Sequence, residues 1–265
     1  MTAVIDKTAF VEQGATLGKD VFIGPFCYVG KGVVLGDHVC LKSHVSVRGQ
    51  VTVGARTIIY PFAALGEDPQ LIGYEGERLE IGTDVKIREH VTIHPGTKKD
   101  AGVTRIGDRC FLMVGVHIGH DCKVGNDVIM ANTATLGGHC KVGDRAYIGG
   151  LTAMHPFARV GHHAVIGGMT GVESDVIPFG AAKGNRAKLN GLNIVGLRRH
   201  GFSREDIHDL RSAYRILFAN EGTFAERIED VINLFKDKKP VMEIIHFIQE
   251  DTKRALCFPE NYVEG

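Results

Sequence analysis

The sequence predicts an all-β solenoid, a triangular prism built from short parallel strands, with a C-terminal α-helical domain after it. Three observations support this fold class. An aliphatic residue returns at every sixth position, a small residue follows four positions later, and Gly often stands directly after the aliphatic residue. Because six is a multiple of two, each hexad fits a short strand and a turn, with its aliphatic side chain inside the prism.

Three runs of hexads carry Ile, Leu, Val or Met at the aliphatic position. Its occupants are Ile5, Val11, Leu17, Ile23, Val29, Leu35, Leu41, Val47, Val53, Ile59, then Ile81, Ile87, Ile93, and finally Ile106, Leu112, Ile118, Val124, Met130, Leu136, Val142, Ile148, Met154, Val160, Ile166 and Val172. The small position holds only Ala, Val, Cys or Thr, from Ala9 to Val176. Small residues suit a tight corner, and Gly suits a positive φ or a close approach of neighbouring backbone.

Two loops interrupt the hexads, at residues 66–80 and 98–105. A loop with no packing role inside a solenoid is usually functional, so both are expected to project from the prism and to wall a groove. The hexads predict about eight coils, a prism of roughly 40 Å at ~4.8 Å per coil. We therefore predict a β-helix domain at residues 1–185.

Helical signals follow the last hexad. Ser203 and Thr223 each precede an acidic residue by three positions, which fits the start of two helices, and Pro240 fits the first turn of a third. They predict a helical domain at residues 186–265 that caps the open end of the prism, because the ends of a solenoid need covering. Basic residues exceed acidic ones between 183 and 215, which fits either a solvated helical face or a docking surface for an acidic partner or a phosphate.

The composition excludes several classes of function. Lys plus Arg and Asp plus Glu both number 31, so the net charge gives no argument for a nucleic-acid partner. No basic segment precedes an apolar run at the start, and no apolar stretch approaches ~18 residues, so neither a signal peptide nor an integral membrane segment is expected.

Without a secretory signal the cysteines are expected to be free thiols, and the protein is expected to be cytoplasmic. Four of them fill the small inward position and are expected to pack rather than react: Cys27, Cys110, Cys122 and Cys140.

The stretch HIGHDCKVGNDVIM, which begins at His117, concentrates side chains that can do chemistry. In an unbroken register residues 18 apart stack, so Gly138 should lie over His120. By the same rule His139 should lie over Asp121, and the four histidines His117, His120, His139 and His155 should converge on one prism face. A histidine can act as a general base when a neighbour fixes its tautomer, which Asp121 could do. Gly138 allows the close approach of an N–H that an oxyanion site requires.

Four segments carry a more specific resemblance: HIGHDCKVGN, ANTATLGGHCKV, IGGLTAMHPFARVG and GLNIVGLRRHGFSRE. They are similar to matching segments of the UDP-N-acetylglucosamine O-acyltransferase family of bacterial lipid A biosynthesis, and the likeness covers nearly the whole chain. It implies a left-handed parallel β-helix with three hexads per coil, assembled as a homotrimer with sites between neighbouring prisms. It also implies transfer of a (3R)-hydroxyacyl group from acyl carrier protein to the 3-position of a UDP-sugar, with no metal or cofactor.

The resemblance further implies roles for single residues. His120 would be the general base, Asp121 would assist it, and the Gly138 N–H would hold the oxyanion. The residues implied at the sugar nucleotide are His117, His139, His155, Asn193 and Arg199. Gly168 matches the position that limits acyl-chain length, and a Gly there would leave room for a longer chain. The basic tail would dock the acidic carrier protein.

The chain departs from the family pattern in the first loop and the tail. Leu71-Ile72-Gly73-Tyr74 stands where Asp-Leu-Lys-Tyr is usual, Val195 replaces an acid, and His200 replaces an Arg. The missing loop charges leave open a variant acceptor, such as a UDP-sugar with a 3-amino group.

Two other classes of function remain open from the residues alone. A γ-type carbonic anhydrase uses the same prism with three zinc-bound histidines, and the candidate ligands are His90, His94, His117 and His120. Their spacing does not match that class, which also lacks such a helical tail. The other alternative is a hexapeptide scaffold without catalytic activity, whose histidines would be incidental.

Overall fold

The chain forms a triangular prism of short strands followed by helices. This computed structural model describes residues 3–250, 253–260 and 262; positions 1–2, 251–252, 261 and 263–265 of the predicted domains lie outside the described residues. The strands are β1 (Val4–Ile5), β2 (Phe10–Val11), β3 (Thr16–Leu17), β4 (Phe22–Ile23), β5 (Tyr28–Val29), β6 (Val34–Leu35), β7 (Cys40–Leu41), β8 (Ser46–Val47), β9 (Gln50–Val53), β10 (Ile58–Ile59), β11 (Ala64–Leu65), β12 (Arg78–Ile81), β13 (Lys86–Ile87), β14 (Thr92–Ile93), β15 (Val103–Ile106), β16 (Phe111–Leu112), β17 (His117–Ile118), β18 (Lys123–Val124), β19 (Ile129–Met130), β20 (Thr135–Leu136), β21 (Lys141–Val142), β22 (Tyr147–Ile148), β23 (Ala153–Met154), β24 (Arg159–Val160), β25 (Val165–Ile166), β26 (Gly171–Val172), β27 (Gly180–Lys183) and β28 (Lys188–Leu192). The helices are α1 (Ile194–Arg199), α2 (Arg204–Leu217), α3 (Phe224–Phe235) and α4 (Lys239–Gln249).

Every third strand pairs in parallel, so the chain winds around three sheets. Sheet A is β1-β4-β7-β10-β13-β16-β19-β22-β25-β27-β28, sheet B is β2-β5-β8-β11-β14-β17-β20-β23-β26, and sheet C is β3-β6-β9-β12-β15-β18-β21-β24. In the second half the register is 18 residues, with Ile118 beside Leu136 and Leu136 beside Met154. Sheets B and C contain nine and eight strands, in agreement with the predicted number of coils.

The aliphatic and small positions of the hexads fill the interior of the prism. Ile118, Leu136 and Ile166 are fully buried, as are the small residues Cys122 and Cys140. Burial raises the pKa of the Cys122 thiol well above its ordinary value, so the thiolate is disfavoured. The prediction that the inward cysteines pack rather than react agrees with this placement.

The glycines that follow the aliphatic positions serve close approach between coils, not positive φ. A Cβ on Gly107 would lie 2.6 Å from the carbonyl carbon of Gly125, and one on Gly143 would lie 2.4 Å from the backbone nitrogen of His162. Positive φ falls two residues later, on residues with side chains such as Asp121 at 59°. Of the two reasons that the sequence offered for Gly, the structure therefore selects close approach of neighbouring backbone.

Both loops leave the prism at the corner between sheets B and C. They span residues 66–77 and 94–102, because the predicted loop segments 78–80 and 103–105 belong to β12 and β15. The hexad pattern could not predict these two strand extensions, since they precede Ile81 and Ile106, the first aliphatic positions of their runs. The loops therefore stand on the same corner, one coil apart.

The helical signals of the tail are confirmed at residue level. Ser203 and Thr223 form capping boxes at the starts of α2 and α3, and Pro240 lies in the first turn of α4. The sequence did not predict α1, which has six residues and begins where the Asn193 side chain accepts a hydrogen bond from Gly196 N.

Sheet A continues through β28 to Leu192, past the predicted boundary at residue 185. In the described part of the chain no helix has the length and apolar character that crossing a bilayer requires.

A buried arginine ties the prism to the last helix. Arg159, on the outer side of sheet C, donates to Asp175 Oδ2 at 2.7 Å and to the carbonyl oxygen of Phe247 at 3.0 Å. Its guanidinium also lies 4.2 Å from the centre of the Phe247 ring. Because the Arg159 side chain is only 6% exposed, α4 covers the upper end of sheet C as well as following the last coil.

Candidate active site

His120 and Asp121 form a hydrogen-bonded pair at the corner between sheets B and C. The distance from His120 Nδ1 to Asp121 Oδ2 is 2.8 Å. Adjacent residues reach this contact because Asp121 has a positive φ, which turns its side chain toward its neighbour. The Asp121 side chain is 1% exposed and the His120 side chain 15%. The predicted pairing is therefore present in the fold, with the histidine still open to a ligand.

Thr97 holds the carboxylate of this pair in place. Its backbone N–H donates to Asp121 Oδ1 at 3.0 Å, and its hydroxyl donates to Asp121 Oδ2 at 2.8 Å. A carboxylate that accepts these bonds accepts from His120 Nδ1 as well, so the proton of the neutral imidazole resides on Nδ1. His120 Nε2 then carries the free lone pair that a general base needs.

Gly138 lies directly over the His120 ring, as the register predicted. A Cβ on Gly138 would stand 2.6 Å from both Nε2 and Cε1 of His120, closer than side-chain carbons approach one another. Elsewhere, the N–H at this hexad position donates to a side chain of the next coil, as Asp108 N does to Asn126 at 2.8 Å. Pro156 occupies that place above Gly138 and offers no acceptor. Within the described residues the Gly138 N–H has no hydrogen-bond acceptor and remains free for an oxyanion.

The second loop brings an acid to His139. Asp100 Oδ2 lies 2.9 Å from His139 Nδ1, and this hydrogen bond lowers the pKa of the Asp100 carboxyl. The His139 ring meets His120 edge-on at 5.0 Å and stacks on Phe157 at 4.4 Å. Both ring contacts and the acid fix the imidazole, so His139 forms a rigid wall beside His120.

His117 and His94 form the other wall of the site. Their rings meet edge-on at 4.9 Å, and His117 Nδ1 lies 2.8 Å from the Thr92 hydroxyl. Burial lowers the pKa of His117, and burial together with neighbouring histidines lowers the pKa of His94 to about 4. Both rings are therefore neutral near pH 7, so they place no positive charge beside His120 that would oppose its taking up a proton.

The low pKa of His94 makes stability depend on pH. The ordinary pKa of a histidine is 6.5, so between about pH 4 and pH 6.5 His94 is protonated in the unfolded chain and neutral in the folded one. Stability is therefore expected to fall as the pH is lowered through this window. Melting temperatures measured between pH 8 and pH 4.5 should drop for the wild type and drop less for His94→Gln. The same slope in both proteins would contradict the assignment, and His208→Gln, an exposed histidine on α2, is the matched control.

His155 lies at the same corner, one coil above His139. Its Nδ1 contacts the Arg254 guanidinium, which also donates to the carbonyl oxygen of Pro156 at 2.9 Å. The structure thus brings together four predicted histidines with Asp121 and Gly138. Three contacts at the site were not predicted from the sequence: those of Thr97, which occupies the small position of its hexad, of Asp100, and of the stacked ring of Phe157. Only the position of Asp100 in an interruption of the hexads could have pointed to it.

Three predicted site residues lie elsewhere in the chain. Asn193 donates to the carbonyl oxygen of His163 at 2.8 Å, at the corner between sheets C and A, and Arg199 ends the helix that Asn193 begins. Gly168 lies at the corner between sheets A and B, where a Cβ would meet the carbonyl oxygen of Gly150 at 3.2 Å. Within one chain these residues do not converge on His120.

The zinc ligands considered from the sequence do not converge either. His90 stacks on Phe62 at 5.1 Å, at the corner between sheets A and B, away from the other candidates. Ligand atoms of His120, Asp121 and His139 do lie within 4.8 Å of one another. The oxygens of Asp121 already accept from Thr97 and His120, so this cluster is accounted for as a hydrogen-bonded base.

A prism of hexads with a histidine–carboxylate pair beneath a free N–H defines a hexapeptide-repeat transferase. The family described as "Bacterial transferase hexapeptide (six repeats)" matches residues 14–49 and 104–138. The family described as "Udp N-acetylglucosamine O-acyltransferase; Domain 2" matches residues 175–257.

Relatives cover almost the whole chain. An acyl-(acyl-carrier-protein)–UDP-N-acetylglucosamine O-acyltransferase of Azorhizobium caulinodans is 52% identical over 264 residues, 98% of this chain and 97% of the relative. One of Caulobacter vibrioides is 57% identical over 213 residues, 80% of this chain and 81% of the relative. The solved UDP-N-acetylglucosamine acyltransferase of Campylobacter jejuni superposes with a TM-score of 0.90 at 39% identity, covering 96% of this chain and 99% of the other.

The chain belongs to the acyl-(acyl-carrier-protein)–UDP-N-acetylglucosamine O-acyltransferase family. It is an acyltransferase, which rules out the carbonic anhydrase and the inactive scaffold as its function. The left-handed parallel β-helix implied by the resemblance is confirmed by the solved relatives, including that of Francisella novicida, with a TM-score of 0.94 at 33% identity over 97% of this chain and 95% of the other.

Proposed function

We propose that this acyltransferase moves a (3R)-hydroxyacyl group from acyl carrier protein to the 3-hydroxyl of UDP-N-acetylglucosamine, the first step of lipid A biosynthesis. The family supplies the substrates, and the stacking of Gly138 over His120 is the observation that carries the chemistry. The cytoplasmic location expected from the sequence is part of the same proposal.

In the proposed reaction His120 Nε2 takes the proton of the sugar hydroxyl as its oxygen attacks the thioester carbon. Asp121 stabilises the imidazolium that forms, because its carboxylate accepts from Nδ1 at 2.8 Å. The Gly138 N–H donates to the oxyanion of the tetrahedral intermediate. When that intermediate collapses the C–S bond breaks, and the proton held by His120 passes to the thiolate of the carrier. The acyl group moves directly, with no covalent enzyme intermediate.

Three further histidines are proposed to bind the sugar nucleotide: His117, His139 and His155. Neutral rings at His94 and His117 offer hydrogen bonds to sugar hydroxyls without adding charge beside the base. Gly168 is proposed to leave room for the acyl chain. It approaches Gly150, and the residues that follow these two glycines, Met169 and Leu151, expose apolar side chains, so this corner can accommodate a hydrocarbon.

The proposed active unit is a homotrimer. His120 lies at the corner between sheets B and C, and Asn193 with Arg199 lies at the corner between sheets C and A. These residues can share one site when two prisms stand side by side. A column of stacked rings, Phe26, His44, Phe62 and His90, also leaves exposed apolar surface along the third corner. Light scattering on the purified protein should give three times the mass of the chain.

The function is tested by the product. Purified protein supplied with 3-hydroxyacyl carrier protein and UDP-N-acetylglucosamine should form a UDP-3-O-acyl sugar, identified by mass spectrometry. The uncharged Leu71-Ile72-Gly73 segment of the first loop favours one alternative, a 3-amino acceptor. Equal concentrations of the two UDP-sugars in competition decide between O-acylation and N-acylation. If neither the O-acylated nor the N-acylated product formed with an active carrier substrate, the proposal would be contradicted.

A further inference from the structure

A pocket rich in positive charge opens beside His139, on the outer side of sheet C. Its volume is about 340 Å³, and the charged residues that line it are Lys123, Lys141, Arg159, Lys253 and Asp100. Four of these five groups are cations. The one carboxylate, Asp100, is already hydrogen-bonded to His139 at 2.9 Å. The pocket therefore presents a net positive charge next to the proposed base.

The cations of the pocket stack on one another in the sheet. Lys123 pairs with Lys141 across neighbouring strands, and Lys141 pairs with Arg159 in the next. Like charges directly opposite each other in a sheet are destabilising. Arg159 is neutralised by Asp175 and Glu250, at 2.7 and 2.5 Å. Lys141 Nζ lies 3.8 Å from Glu250 Oε1, and the same carboxylate also pairs with Arg159. Lys123 forms no ion pair in the described part of the chain.

At two other positions on the prism a basic side chain faces an acidic one. One coil below Lys123 in the same sheet, Arg105 meets Glu80 at 2.7 Å. At the corner between sheets C and A, Arg109 meets Asp127 at 2.7 Å. At both positions the basic side chain is neutralised by its neighbour.

Arg105 is itself the strand neighbour of Lys123, so the same-sign column starts one coil below the active site. Glu80 neutralises Arg105 and Asp175 neutralises Arg159, each at 2.7 Å. Lys123 and Lys141, at the level of the active site, have no partner as close among the described residues, which points to an anionic ligand there.

The position of the pocket identifies which phosphate can reach it. His139 lines the pocket, and its ring is 5.0 Å from the ring of His120. The diphosphate of a sugar nucleotide is bonded to C1, so it stays within one sugar ring of a 3-hydroxyl held at His120. The phosphate of a carrier's prosthetic arm is separated from the thioester by the whole length of that arm. The short separation favours the nucleotide diphosphate.

We propose that Lys123 and Lys141, with Lys253, bind the diphosphate of the sugar-nucleotide acceptor. The inference rests on the function proposed above and adds binding residues that the histidine cluster does not include. Lysine acts on phosphate as a mobile point charge, so the pair contributes to affinity more than to orientation. Lys253 is held nearby, with its ammonium 4.3 Å from the centre of the Phe157 ring.

The test is the double variant Lys123→Gln/Lys141→Gln. Loss of two charge-assisted contacts should raise the KM for UDP-N-acetylglucosamine and the dissociation constant of UDP alone about tenfold or more. The kcat and the KM for acyl carrier protein should stay within about twofold. Removing like charges should leave the melting temperature unchanged or raise it, whereas lysines with a purely structural role would lower it. Lys86→Gln, an exposed lysine on β13 in sheet A, is the matched control.

Two outcomes would overturn the inference. A higher KM for acyl carrier protein with unchanged UDP affinity would assign the lysines to the donor. Unchanged values for both substrates would make them solvated surface residues. Calorimetric titration with UDP needs no acyl transfer, so it tests the lysines even if the proposed reaction fails.

Discussion

Replacing His120 by Ala is expected to lower kcat by ~10²–10⁴-fold, the usual contribution of a general base. The variant loses the imidazole whose ring nitrogen, among the described residues, lies directly beneath Gly138. The KM values should change little, because the sugar would still contact His117 and His139. Steady-state rates over a range of both substrates measure this, with product detected by mass spectrometry.

The fold should tolerate this change. His120 lies on the outer side of a corner, and its side chain is 15% exposed, so no core cavity results. The melting temperature should therefore stay within a few degrees of the wild type. His208→Ala, an exposed histidine on α2, is the control and should retain full activity. A folded His120→Ala protein with wild-type kcat would show that another group removes the proton.

Replacing Gly138 by Ala retains the backbone N–H but is expected to lower kcat by roughly 10²-fold, because it displaces the base. The new methyl group would stand 2.6 Å from His120 Nε2, so the imidazole must move away from its position. Movement of the ring breaks the alignment between the base and the N–H above it, and misplacement of a reacting group by about 1 Å has effects of this size. The change is measured as kcat with both substrates saturating.

A matched glycine separates this local effect from a general loss of coil packing. Gly30 also follows an aliphatic position, but a Cβ there would meet its nearest neighbour, the Cα of Arg48, at 3.4 Å. Gly30→Ala should therefore leave both activity and melting temperature close to the wild type. If Gly138→Ala were as active as Gly30→Ala, catalysis would not depend on the close alignment of the His120 ring with the N–H above it.

The hexad register predicted the catalytic corner because it is a property of local sequence. Counting 18 residues from His120 leads to Gly138, and the strand pairing of β17 with β20 has that register. Packing of Cys122 and Cys140 followed from the same count. These results depend only on the inward and outward alternation of each hexad, which side-chain size and polarity encode directly.

Contacts made by the loops could not be predicted in the same way. Thr97 occupies an inward position of its hexad, and only the folded loop reveals that its hydroxyl reaches Asp121. Asp100 lies 39 residues from its partner His139, in a segment with no repeat to set its register. Asn193 was assigned to the nucleotide by resemblance, yet in one chain its side chain caps α1 and bonds the carbonyl oxygen of His163.

The winding of the chain around three sheets fixes which corner of the prism His120 and Gly138 occupy, as well as the distance between them. Gly138 returns above His120 because the backbone completes one full circuit between them. One extra hexad inserted in that circuit would keep the aliphatic side chains pointing inward and yet rotate Gly138 by a third of a revolution, to another edge of the prism. Such a protein would lack the aligned pair and would not catalyse the reaction. Single hexads therefore cannot be inserted between His120 and Gly138, whereas whole coils can be added below the site without changing the alignment.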